Sequence, residues 1–119
     1  MTLEECYKMI NGDYNDVLSR FQKESLVERF LLKFPNDKTM ELLKNAVAEK
    51  NIEESFRAAH TLKGITINLS LGDLTVASTK LTDQLKPCVS EADPELLADV
   101  EREYAKVIET INAYISEKQ

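Results

Sequence analysis

An all-α protein is expected of this chain of 119 residues: an antiparallel up-down four-helix bundle behind short extra N-terminal helices. Apolar residues recur three and four positions apart along most of the chain, the period of a helix that buries one face. Helix-capping residues punctuate the chain at regular intervals. Only three glycines and three prolines occur, with no tryptophan, and charged residues make up 30%, a balance that suits helices better than a turn-rich sheet protein. No stretch shows the sustained alternation of a half-buried strand.

Thr2 with Glu5 has the spacing of a capping box, and Asn11-Gly12 ends a short first helix. Asp13 caps a second segment, with Tyr14, Val17, Leu18 and Phe21 at helical spacing. Leu26, Val27, Phe30, Leu31 and Phe34 form the next apolar stripe, which Pro35 closes, because a residue before proline avoids helical geometry. Asn36 or Asp37 caps a helix carrying Met40, Leu43, Ala46 and Val47. Asn51 followed by Glu54 opens a helix that runs to about Leu71, where Gly72 ends it and Asp73 caps the next. That next helix buries Leu74, Ala77, Leu81 and Leu85 and stops at Pro87. Asp93-Pro94-Glu95 places an N-cap ahead of proline at the first helical position. A long seam follows, of Leu97, Val100, Tyr104, Val107, Ile111, Tyr114 and Ile115. Short connections make successive helices antiparallel neighbours. With no linker, repeat or low-complexity stretch, residues 1–119 read as one domain, with 1–35 the short helices and 36–119 the bundle.

A hydrophobic content of 43% suits one core for a chain of this length. A net charge of −6 argues against a general nucleic-acid binder and against an anionic membrane surface as partner. Cys6 and Cys88 are far apart, belong to no CxxC pair and read as ordinary thiols of a reducing compartment. The first residues are too polar for a signal peptide, and no apolar run approaches the ~20 residues that cross a bilayer. A soluble, cytoplasmic monomer is the expectation, either free or cut from a larger protein.

Chemistry concentrates in the helix opened by Asn51. On a helical wheel Ile52, Phe56, Ala59, Leu62, Thr66 and Leu69 form the core stripe, and His60, the chain's single histidine, lies off it toward solvent. Gly64, Ile67 and Leu71 follow in the same line, with Lys63 on one flank and Arg57 on the other. Each has a plain alternative: a lone histidine is most often solvated, and so is a lysine. A mid-helix glycine, however, costs about 1 kcal/mol relative to alanine, and Gly64 falls one turn from the imidazole, where a missing side chain clears space for a phosphoryl group or a partner backbone. Lys63 can offset phosphate charge there. No acidic residue occurs from Arg57 through Leu71, so the window is locally positive in an acidic protein. Ile67 and Leu71 are either covered by the N-terminal helices or exposed as an apolar docking patch.

Ala59-His60-Thr61-Leu62-Lys63-Gly64 resembles the His-x-x-Lys-Gly signature of histidine-containing phosphotransfer (HPt) domains. The likeness extends through Asp13-Tyr14, Leu18-Ser19-Arg20-Phe21, the Leu26–Phe34 stripe and Phe56-Arg57-Ala58-Ala59, essentially the whole chain. It implies a helical bundle whose exposed His60 accepts a phosphoryl group from a receiver-domain aspartyl phosphate and passes it to another receiver. It assigns phosphate stabilisation to Lys63 and clearance to Gly64; the helical wheel adds Arg57, Ile67 and Leu71 as further docking positions. The expected partners are response-regulator receivers, and a hybrid sensor kinase beside them. No cofactor belongs to this chain; Mg²⁺ is expected only on the receiver. A polar group from the facing helix is implied near the imidazole, with Thr79, Thr82 and Lys86 all open. Ile65 departs from the family's small residue after the Lys-Gly pair, and Ser70 stands where a glycine is common.

Two rival classes fare worse. Autonomous kinase activity needs a nucleotide loop that the isolated Gly12, Gly64 and Gly72 cannot build. A docking module that is never phosphorylated has no need of both His60 and Lys63, yet both are present.

Overall fold

A computed structural model of the chain describes residues 1–118, which are helical apart from short connections. The helices are α1 (Leu3–Met9), α2 (Tyr14–Phe21), α3 (Glu24–Lys33), α4 (Thr39–Ala48), α5 (Ile52–Asn68), α6 (Gly72–Leu85) and α7 (Pro94–Lys118). The all-α class is borne out.

Local chemistry starts most of these helices. The Thr2 hydroxyl accepts from the Glu5 N–H at 3.1 Å, and the Glu5 carboxylate accepts from the Thr2 N–H at 2.7 Å, a reciprocal capping box. Asp13 Oδ1 caps α2 at the Asp16 N–H, and Asn51 Oδ1 caps α5 at the Glu54 N–H. Asp93 Oδ1 accepts from both Glu95 and Leu96, with Pro94 as the first residue of α7. α3 ends at Lys33, ahead of Pro35 as expected, and passes into a 3₁₀ turn, Phe34–Asn36, that takes the proline near its start, where a missing N–H costs little. Asp37 Oδ1 then accepts from the Thr39 N–H at the head of α4.

α4, α5, α6 and α7 pack in sequence, each on the next. Met40 and Lys44 of α4 also share a groove with Tyr104, Ala105 and Ile108 of α7. One buried cluster runs from Leu3, Cys6, Tyr7 and Ile10 through Val27, Leu62 and Leu81 to Ile111 and Tyr114, so the short helices and the long ones share a core. Burial pushes the Cys6 thiol up to about 11, which keeps it protonated and inert. Near its C-terminus α7 is tied to α3: Tyr114 Oη and Lys118 Nζ both donate to the Glu28 carboxylate.

The end of α5 departs from expectation. The helix stops at Asn68, and Ser70 takes a left-handed φ of 55° that turns the chain back into α6. Groups from the N-terminal helices meet this turn. The buried Tyr7 hydroxyl donates to the Leu69 carbonyl at 2.9 Å, the Asp13 N–H donates to the Ser70 carbonyl at 3.0 Å, and Arg20 reaches the Ile67 and Asn68 carbonyls. Two glycines permit the approach. A Cβ on Gly12 would lie 2.7 Å from both Ser70 O and the Tyr7 ring; one on Gly72, whose φ is +27°, would lie 1.7 Å from Asn11 O. Asp73 does not cap α6 as expected; it accepts from Asn11 Nδ2 across this junction at 2.8 Å.

Gly12→Ala should therefore lower stability by about 1–3 kcal/mol through overpacking, seen as a lower urea midpoint; a wild-type midpoint would contradict the close approach of the two turns. The Glu28 carboxyl is held below its usual range by its bonds to Lys118 and Tyr114. Its contribution is complete above the unfolded carboxylate value and disappears as pH falls through the depressed folded value. Glu28→Gln should accordingly flatten the acid limb of a stability–pH profile measured by thermal melting, and an unchanged limb would discount the bridge.

Candidate functional site

α5 carries its chemistry on the side away from the core. Ser55, Ala58, Ala59, Leu62 and Thr66 are buried along one stripe, with Ile52 and Phe56 half-buried at its margin. His60 is exposed, and neither ring nitrogen has a hydrogen-bond partner among the described residues. The Phe56 ring a turn earlier lies beside it, centroid to centroid 5.7 Å, tilted by 39°. Sequence periodicity places Phe56 in the core stripe; in the structure it also flanks the imidazole.

Gly64 is exposed, and a Cβ built there meets nothing within 4 Å. Packing thus gives no reason for glycine at this position, unlike Gly12 and Gly72. Lys63 is half-buried and forms no ion pair among the described residues. Arg57 differs: its guanidinium pairs with the Glu54 carboxylate on the preceding turn and lines the groove between α4 and α5 with Leu42, Asn45 and Thr61. The unpaired cation that α5 brings beside His60 is therefore Lys63.

The two apolar positions part company. Ile67 is 45% exposed and extends the His60–Gly64 line toward the end of the helix. Leu71 is fully buried and must be removed from the docking face. The expectation assumed a helix as far as Leu71; because Ser70 reverses the chain, Leu71 sits at the head of α6 and joins the core. Ile65 is half-buried and lines a groove with Phe30, Phe34 and Leu69, so the bulk at this position faces α3.

Counting equal rises back and forward from the α5–α6 turn sets His60 level with the stretch of α6 from Thr79 to Asp83. Of the three candidates from the facing helix, Thr82 is buried and spends its hydroxyl on the Ser78 carbonyl at 2.7 Å. Lys86 lies beyond the last turn of α6. Thr79 is half-exposed, and its hydroxyl makes no hydrogen bond among the described residues.

Among the described residues, no group of three or more His, Cys, Asp or Glu side chains is arranged to hold a metal. No described helix is long and apolar enough to cross a membrane.

The arrangement is a free imidazole on a rigid helix, with a lysine beside it and open space one turn on. The family model of the Hpt domain matches residues 25–113, which include the whole of this surface on α5. The chain belongs to the Hpt domain family, whose members act in phosphorelays as histidine phosphotransfer modules, carriers rather than kinases, and interact with receiver domains and kinases. No curated protein and no solved structure gives a match.

Gly64→Ala should leave the fold at least as stable as wild type, with a gain of up to about 1 kcal/mol from helix propensity. A clear loss in the melting temperature would mean that the space at Gly64 is needed by the fold itself.

Proposed function

We propose that His60 is the phospho-acceptor of a relay carrier, taking a phosphoryl group from the aspartyl phosphate of one receiver and giving it to the aspartate of another. The observation that carries this reading is the state of His60: the chain's single histidine, exposed, with both nitrogens unengaged, on a helix whose opposite face is locked in the core.

In the forward step a neutral imidazole nitrogen attacks phosphorus in line. An N–P bond forms, the P–O bond to the aspartyl carboxylate breaks, and that carboxylate leaves with the electron pair. Such transfer depends on positioning and charge stabilisation more than on covalent work by the protein. α5 supplies the positioning, because Leu62 and Ala59 beside His60 are about 1% exposed and fix the backbone that carries it. Lys63 supplies a cation for the phosphoryl oxygens. Gly64 leaves room for the receiver's backbone, and Ile67 offers it an apolar contact. The divalent cation of the reaction belongs to the receiver's acidic pocket. Of Thr79, Thr82 and Lys86, Thr79 is the one within α6 whose hydroxyl is left for the phosphorylated ring.

His60→Gln should abolish acid-labile labelling by a phosphorylated receiver while far-UV circular dichroism stays unchanged; labelling that survives the substitution would refute the assignment. Lys63→Ala should slow transfer about tenfold or more, the scale of a lost charge-assisted hydrogen bond, without altering the melting temperature. An unchanged rate would leave Lys63 a surface charge.

A further inference from the structure

The end of α5 is fastened by a side chain that lies outside the Hpt match, in α2. Arg20 Nη1 lies 2.8 Å from the Asn68 carbonyl, 3.2 Å from the Ile67 carbonyl and 3.1 Å from Ser70 Oγ. A guanidinium nitrogen has two hydrogens, so these three acceptors share them. Nη2 donates to Asp16 Oδ2 at 2.9 Å, and Ser70 Oγ donates to the same oxygen at 2.6 Å. The result is a closed circuit: arginine to serine, serine to aspartate, arginine to aspartate. A planar, multiply donating guanidinium can serve carbonyls and carboxylate together; an ammonium cannot do so from one position.

We propose that Arg20 is a positioning residue for phosphotransfer, holding the Ile67 end of the docking face in register with His60. The inference rests on the carrier reading above. Ile67 is the exposed apolar residue of the His60–Gly64 line, and its own carbonyl is one that Arg20 holds. Seven residues of helix separate it from His60, about 10 Å, within reach of a single docked domain. The Asn68 carbonyl accepts from no other group among the described residues. Without Arg20 the Asn68 carbonyl loses its donor and the Ile67 carbonyl keeps only the Ser70 N–H, so the last turn of α5 is held less firmly, and a receiver must order Ile67 on binding instead of finding it in place. His60 lies two turns further in, on the part of α5 backed by Leu62 and Ala59, so its reactivity toward a donor that needs no docking is not touched.

The test uses the full chain and two donors, a receiver phosphorylated on aspartate and the small donor phosphoramidate. For Arg20→Met the half-saturating receiver concentration should rise about tenfold, the worth of one charge-assisted bond. The maximal transfer rate and the phosphoramidate labelling rate should equal wild type. Arg20→Lys should recover part of the loss, and adding Ile67→Ala to Arg20→Met should cost little more, because both act at one place. An unchanged half-saturating concentration would overturn the proposal. So would an equal fall with both donors, which marks general loosening, or full additivity with Ile67→Ala. If Arg20→Met does not fold, Asp16→Asn and Ser70→Ala break the same circuit and face the same criteria. A wild-type protein labelled by neither donor would instead overturn the carrier reading, and this inference with it.

Discussion

The C-terminal carbonyls of α5 are the constraint around which the rest of the molecule is arranged. A helix leaves its last carbonyls without intrahelical donors, and a helix end packed against other elements must find them elsewhere. Here the donors come from far along the chain: Tyr7 to Leu69, Asp13 to Ser70, Arg20 to Ile67 and Asn68. Meeting them requires two turns to approach backbone to backbone, which explains Gly12 and Gly72, and requires Ser70 to take a left-handed conformation. The same closure carries Leu71 and Leu74 into the core beside Tyr7 and Ile10. The N-terminal helices are thus part of the frame that fixes α5.

That frame permits a division of labour across a single helix. One side of α5 is spent on burial, with Ala58, Ala59, Leu62 and Thr66 against neighbouring helices. The other side is largely spared packing, so its residues answer to chemistry: among the described residues an imidazole with no hydrogen-bond partner, a lysine with no ion pair, and a glycine with empty space above it. A carrier has to present its acceptor to more than one partner in turn. On the reading proposed above, an acceptor on an exposed helix face suits that task better than a pocket, since the enclosing groups come with each partner. Arg57 shows how local pairing shapes such a surface: its salt bridge to Glu54 takes its charge out of the window around His60.

Much of this was legible in the sequence where the causes are local. The caps at Thr2, Asp13, Asn51 and Asp93 work through side chains two or three residues from the N–H they accept, so spacing alone reveals them. The exposure of His60 and Gly64 follows from helical period. The end of α5 was not legible, because its cause is remote. Tyr7 and Arg20 act across 62 and 48 residues, and nothing in Leu69-Ser70-Leu71 itself announces a stop before Gly72. The error at Leu71 follows directly, as does the misplaced role of Asp73. Arg20 stood in the sequence only as part of the Leu18-Ser19-Arg20-Phe21 likeness; its reach to α5 depends on tertiary packing. The end of α3 ahead of Pro35 was legible and the 3₁₀ turn that follows was not: proline is excluded from a helix interior but tolerated at the start of a turn.

The most direct test of the closure is native-state hydrogen exchange of backbone amides, followed residue by residue in the full chain. The Asp13 amide, bonded to Ser70 O, and the Leu71 amide, bonded to Thr66 O, should exchange only through the opening that releases the core amides of α5, with matching free energies and matching response to denaturant. An Asp13 amide that exchanges freely while those core amides stay protected would contradict the account. The N-terminal helices would then rest on the bundle without holding the helix that carries His60.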